Sequence, residues 1–231
     1  MKFTLALDTT SNYCSITILK GEEILTEFNF ISSEELSKTL VSYIDSVFLT
    51  LKINADDIGL IGVSVGPGFF TGIRVGLATL KGLFFGKPIP VVPVSSLEAA
   101  AAKLTYTGMT IIPILDARRE EIYFASYKSK KNDLVRSIEP TLIKVGELKG
   151  ELQNESNICF TGMGSLVYKD LLSEDFPGSI VVNRSPFISS EVGSIALTEF
   201  NAGNYKKGTG NIEPLYIRIP DAEKNFGKRK N

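Results

Sequence analysis

The chain carries a weak copy of itself. Residues 110–127 (TIIPILDARREEIYFASY) echo the N-terminal FTLALDTTSNYCSITILK at a shift of 108 residues, which lays Leu115-Asp116 over Leu7-Asp8. In both places an apolar strand ends in aspartate, a polar turn follows and a second strand begins. Repetition on this scale implies two like units in one molecule. The 231 residues suffice for one large domain or two small ones.

In the first copy, three β-prone segments, Met1–Leu7, Tyr13–Leu19 and Glu23–Phe30, are separated by the turn TTSN and by Gly21. The period then changes. Leu36, Leu40, Ile44, Val47 and Leu51 share one helical face and Ser32 with Glu35 forms a capping box, so a helix is predicted over Ser32–Lys52. A strand at Ile58–Val65, a helix from Thr71 to Phe85, a strand at Ile89–Val94 and a short Ala-rich helix ending at Ala102 complete the order βββαβαβα. In the second copy NICFTGMG echoes GLIGVSVGPG, but no long helix precedes it.

The expected fold is therefore α/β, with tandem βββαβαβα halves of which the second is eroded. An N-terminal lobe spans 1–104 and a C-terminal lobe spans 105–231 with a basic tail. Two such halves enclose a cleft, the arrangement of actin-like ATPases and sugar kinases with their ribonuclease H-like lobes.

Composition then narrows the chemistry, because the chain has no histidine. That removes the commonest general base near neutral pH and the commonest metal ligand, and with them any Ser-His-Asp triad, Cys-His dyad or HExxH zinc site. Cys14 and Cys159 are too few for a four-thiolate metal site and sit in apolar strand-like runs as free, buried thiols. A net charge of -1 argues against bulk attraction to a nucleic-acid backbone, and the local basic run Lys224, Lys228, Arg229 and Lys230 reads as a solvated terminus. Asp8 breaks the first apolar run before it reaches signal-peptide length, and no stretch approaches about 18 uninterrupted apolar residues, so a cytoplasmic protein with no membrane span is expected.

Two segments suggest ligand binding. Asp8-Thr9-Thr10-Ser11, at the tip of a β-turn, has the hydroxyls and amides to cradle a phosphate while Asp8 orients hydrated magnesium. The same residues suit a plain hairpin turn equally well. The matching turn in the repeat, Asp116-Ala117-Arg118-Arg119-Glu120-Glu121, lacks glycine and hydroxyls, which argues against ATP turnover. The segment Gly66-Pro67-Gly68-Phe69-Phe70-Thr71-Gly72-Ile73-Arg74 joins a strand to a helix but fits neither the P-loop nor the GxGxxG pattern; glycines for a tight crossover and close helix packing explain it better.

The helix after that segment has a core stripe of Phe70, Ile73, Leu77, Leu80 and Phe84. Elsewhere on its circumference only Arg74, Lys81 and a few small residues break the apolar surface. The Ser32–Lys52 helix shows a milder surplus, since Val41, Tyr43 and Phe48 widen its stripe. Helices that cover the outside of a sheet should meet water, so a partner protein is expected to shield them.

The residues LALDTTS, GVSVGPGFFTGIRVGLATLKGL, PVVPVSSLEA, LDARREEIYFASY and PLYIR together resemble the bacterial TsaB (YeaZ) family, from Leu5 to Arg218. The resemblance implies a noncatalytic subunit that binds and stabilises TsaD, the catalytic subunit, and recruits TsaE. The complex transfers a threonylcarbamoyl group to adenosine beside the anticodon of tRNA. It further implies homodimers when alone, tRNA contact only through the complex, and no cofactor of its own, with ATP and metal on the partner subunits.

The family's pairing helices correspond to the two just described. The partner surface thereby falls to Val41, Ile44, Asp45, Phe48, Gly72, Arg74, Val75, Gly76, Ala78, Thr79, Lys81 and Gly82, and a vestigial nucleotide site to Asp8, Thr10, Ser11 and Asp116. Two departures stand out: the family usually has serine where this chain has Phe69, and often histidine where it has Ser32. From another functional class, an active ATP-dependent kinase or ATPase using Asp8 and Asp116 is the competing expectation.

Overall fold

A computed structural model describes residues 2–32, 35–130 and 133–218. The first copy gives β1 (Phe3–Asp8), β2 (Tyr13–Lys20), β3 (Glu23–Ile31), α1 (Leu36–Leu51), β4 (Ile58–Gly66), α2 (Phe70–Leu83), β5 (Pro90–Ser95) and α3 (Ser96–Ala102). The second gives β6 (Thr110–Asp116), β7 (Glu121–Lys130), β8 (Asp133–Lys144), α4 (Leu148–Glu151), β9 (Ile158–Thr161), α5 (Met163–Val167), α6 (Lys169–Asp175), β10 (Ile180–Val181) and α7 (Ser189–Asn201), after which β11 (Lys206–Lys207) closes the series. The basic residues Lys224, Lys228, Arg229 and Lys230 lie outside the described residues. No described helix is long and apolar enough to cross a membrane.

The duplication extends to topology. The first sheet has the order β11-β5-β4-β1-β2-β3 and the second β10-β9-β6-β7-β8, so the five strands of the second have counterparts in β5, β4, β1, β2 and β3, and β11 is an addition to the first sheet. In both, the first strand pairs antiparallel with the second and parallel with the fourth. The erosion is also visible: the sixteen-residue α1 has only the four-residue α4 in its place.

Strand alternation divides the first lobe's core. Leu5 and Leu7 point to one face with Ile16, Ile61 and Val63, covered by α1 and α2. Ala6 points to the other with Leu60 and Val92, against Val192 and Ala196 of α7. The last helices of the two halves are therefore exchanged. α3 packs on β6 and β7 through Leu97 and Ala101, whereas α7 packs on β1, β4 and β5. Contacts thus cross the 104/105 division: α7 and β11 follow it in sequence, but α7 packs on the first sheet and β11 is a strand of it.

The helix predicted from Ser32 begins at Leu36, with Glu35 as its N-cap residue. Its expected apolar surplus is largely internal. Tyr43 lies against Phe28 and Phe30 of β3, with ring centroids 5.3 and 4.6 Å apart.

Three glycines at the start of α2 and just before it share one purpose. Gly68, Gly72 and Gly76 recur every fourth residue and form a flat stripe against the β1–β2 turn. A Cβ on them would collide with Thr10 O, Thr9 O and Thr9 Oγ1 respectively. The seat is fastened by Phe69 N–H donating to Thr10 O at 2.7 Å and Thr9 Oγ1–H donating to Gly72 O at 2.9 Å. Gly82 has no neighbouring atom within 4 Å of a built Cβ. Gly76→Ala is therefore expected to destabilise the chain by about 1–3 kcal/mol through overpacking, whereas Gly82→Ala should stabilise it by up to about 1 kcal/mol. Urea denaturation of both variants checks the pair, and equal effects would refute the seat.

Candidate functional site

At the C-terminal end of β1, Asp8 is 1% exposed. Its Oδ1 accepts from Thr10 N–H at 3.1 Å and from Thr10 Oγ1–H at 2.7 Å, while the buried Oδ2 has no partner among the described residues. Burial pushes the carboxyl pKa up; the Thr10 bonds and the Ser64 hydroxyl on neighbouring β4 oppose this without overcoming it. The other hydroxyls of the turn are engaged too. Thr9 donates to Gly72 O, and Ser11 Oγ accepts from Tyr13 N–H at 3.0 Å.

The space in front of Asp8, Thr10 and Ser11 is a cavity of about 60 Å³, bounded across the cleft by Thr161, Gly162 and Arg184. That is far below the roughly 300 Å³ or more of an ordinary ligand pocket. Asp116 does not join it. Its Oδ1 accepts from Arg118 N–H at 2.9 Å and from Tyr168 OH at 3.3 Å, and it lines a separate cavity of about 310 Å³. The vestigial site expected from Asp8, Thr10, Ser11 and Asp116 is thus split: Asp8, Thr10 and Ser11 share the small cavity, Ser11 also borders an outer one of about 560 Å³ with Phe69 and Arg118, and Asp116 faces a third.

The β6–β7 turn itself is unusual. Arg118, Arg119 and Glu120 have φ of 62°, 55° and 59°, three successive left-handed residues without a glycine. Each costs roughly 1–2 kcal/mol relative to ordinary backbone. Nothing in the sequence announced this conformation.

The outer helix pair is narrower than expected. Val41, Asp45, Arg74, Ala78 and Gly82 are exposed, and Gly72, Val75, Thr79 and Lys81 half-buried. Ile44, Phe48 and Gly76 must be taken off the surface. Ile44 and Phe48 continue the Leu36-Leu40 core stripe beneath the helix, and Gly76 faces Thr9. The remaining outer residues of α1 are mostly Ser, Lys, Asp and Thr, with Val41 40% and Leu49 76% exposed; Phe85, beyond α2, is 87% exposed.

The first turn of α2 is covered from within. Tyr216 stacks on Phe70 at 5.0 Å, and the Arg74 guanidinium lies 3.7 Å from the Phe70 ring centroid. Arg74 Nε also donates to Tyr216 OH at 2.8 Å. Leu215 N–H donates to Val65 O at 2.8 Å in the first lobe, whereas Arg218 binds Ala117 O and Glu121 in the second. Leu215–Arg218 is thus a strap across the two lobes. Sequence reasoning used PLYIR only as part of a resemblance and missed this role, since its contacts are with segments some hundred or more residues away.

Comparison with known proteins follows the same lines. The family model described as TsaD, tRNA N6-adenosine threonylcarbamoyltransferase, matches residues 30–199. The tRNA threonylcarbamoyladenosine biosynthesis protein TsaB of Haemophilus influenzae is 27% identical over 93% of this chain and 92% of its own length. The Escherichia coli protein of the same name is 28% identical over 93% and 94%. The chain belongs to the TsaB (YeaZ) family.

YeaZ from Pseudomonas aeruginosa superimposes with a TM-score of 0.76 at 19% identity, covering 94% of this chain and all of that one. The ROK hexokinase from Thermus thermophilus does so with 0.53 at 11%, over 87% and 100%. The fold is therefore the two-lobed actin-like one.

A pH dependence follows. Because burial raises the folded-state pKa of Asp8 above its ordinary 3.8, ionisation opposes folding. The group's contribution is fully favourable below about pH 3.8 and is lost as pH rises through the raised folded value. Asp8→Asn removes that loss while keeping an acceptor for Thr10. Urea midpoints measured from pH 4 to 8 should show the variant gaining on the parent as pH rises; a parent that gains instead contradicts the buried-carboxylate account.

Proposed function

We propose that this chain is a noncatalytic subunit of tRNA threonylcarbamoyladenosine biosynthesis. In this reading it binds and stabilises TsaD and recruits TsaE, for transfer of a threonylcarbamoyl group to adenosine next to the anticodon. It forms a homodimer when alone, meets tRNA within the complex, works in the cytoplasm, and leaves ATP and metal to its partners.

The observation that carries the reading is the closed cleft. Where a catalytic actin-like protein needs room for a nucleotide, the space in front of Asp8 is about 60 Å³, and the hydroxyls of Thr9 and Thr10 are already bonded to the Gly72 backbone and to Asp8. The names of its full-length relatives supply the pathway. The competing kinase or ATPase lacks comparable support, because Asp8 and Asp116 line different cavities.

For docking, the open part of the helix pair offers Val41 and Leu49 on α1, Ala78 and Gly82 on α2, and Phe85 beyond it. Val75 is less suitable as a probe, since it packs on the chain's own core. Ala78 is exposed on the outer face. Ala78→Arg should weaken association with TsaD by about a hundredfold or more if the contact is desolvated, with an unchanged melting temperature of the isolated chain. Sedimentation velocity of chain and TsaD, mixed and separate, reads this directly; undiminished heterodimer in the variant would place the interface elsewhere.

A further inference from the structure

The cavity of about 310 Å³ beside Asp116 has no part in the reading above. Its walls come from both lobes and the strap: Phe69 before α2, Asp116 at the end of β6, Arg118 on the β6–β7 turn, Tyr123 on β7, and Tyr216 with Arg218 on the strap. The volume is at the lower end for small-molecule sites, and the mixture of aromatic walls with a few polar groups is typical of them.

The polar groups differ in availability. Arg218 is committed to Glu121 and Ala117 O. Arg118 makes no ion pair among the described residues; its guanidinium lies 5.8 Å from the Phe69 ring centroid, on the turn of three left-handed residues. Asp116 has both its protein hydrogen bonds on Oδ1, leaving Oδ2 without one among the described residues. The two aromatic walls Phe69 and Tyr216 are each 38% exposed, and Tyr216 is held in place by Phe70 and Arg74.

These features ask for a flat ring, one hydrogen-bond donor and an anionic group. A phosphate-bearing base meets all three, since bases stack on aromatic rings and guanidinium planes. The single free carboxylate oxygen selects a base with an exocyclic amino group. Adenine, cytosine and guanine have one, whereas uracil flanks its ring N–H with two carbonyls that a carboxylate repels.

We propose that this cavity binds one nucleotide with an amino-bearing base, the base against Phe69 and Tyr216, its amino group donating to Asp116, and its phosphate on Arg118. The nucleotide is either free or an unstacked unit of single-stranded RNA; the RNA source rests on the function proposed above, and the free source does not.

The test uses the purified full-length chain, labelled single-stranded oligoadenylate and oligouridylate hexamers read by fluorescence anisotropy, and AMP and UMP as competitors and as direct ligands in calorimetry. Oligoadenylate should bind more tightly than oligouridylate and be displaced by AMP better than by UMP. Binding of AMP without the hexamer identifies the free nucleotide as occupant, and displacement of the hexamer by AMP identifies RNA; either supports the site.

Phe69→Ser should weaken binding by about tenfold or more. This variant is a clean one: Phe69 is the N-cap residue of α2 without a side-chain cap bond, and serine there supplies one. Arg118→Ala should weaken binding and flatten its salt dependence. No binding of AMP or either hexamer at millimolar concentration overturns the proposal, as does binding that Phe69→Ser leaves unchanged. Association with TsaD, scored on the same samples, separates failure of this cavity from failure of the subunit role.

Discussion

The close seat of Thr9 and Thr10 on the glycine stripe of α2 is the contact on which the rest of the molecule depends. It brings the β1–β2 turn down onto Gly68, Gly72 and Gly76 until no Cβ fits between them. It also uses the turn's donors and acceptors, so that Thr9 and Thr10 face protein. A loop held this way is poorly suited to wrap a triphosphate. The same contact carries α2 against β1 and β4 and fixes which of its faces is left outward.

The exchange of α3 and α7 between lobes closes the cleft from the other side. Each helix packs on the opposite half's sheet, and α3 contacts α7 directly. The buried polar contacts of Ser189 with Ser15 and Thr17 fix the start of α7 on β2. The Leu215–Arg218 strap adds a third tie. A molecule tied at three places is a platform whose surfaces persist, which suits a role in holding other proteins better than one in opening and closing around a substrate.

The repeated LD-turn-strand pattern and the local periodicity made the duplication, the order of elements along the first half and the two long helices legible, because hydrophobic period and turn chemistry are local properties. The glycine spacing was readable as packing, but its counterpart was not: Thr9 lies 63 residues from Gly72. For the same reason α1 looked greasier than it is. Tyr43 finds Phe28 and Phe30 on β3, and Phe48 turns inward, neither of which a helical projection reveals. Tyr216 covering Arg74, and Asp116 turning away from Asp8, are likewise products of tertiary structure.

Under the proposed function the chain acts by binding and turns over no ATP of its own. Hydrolysis of ATP by the purified chain with magnesium, in parallel with Asp8→Asn, tests it most directly. Phosphate release at the buffer rate from both proteins is expected; steady turnover by the parent that disappears in Asp8→Asn would contradict it.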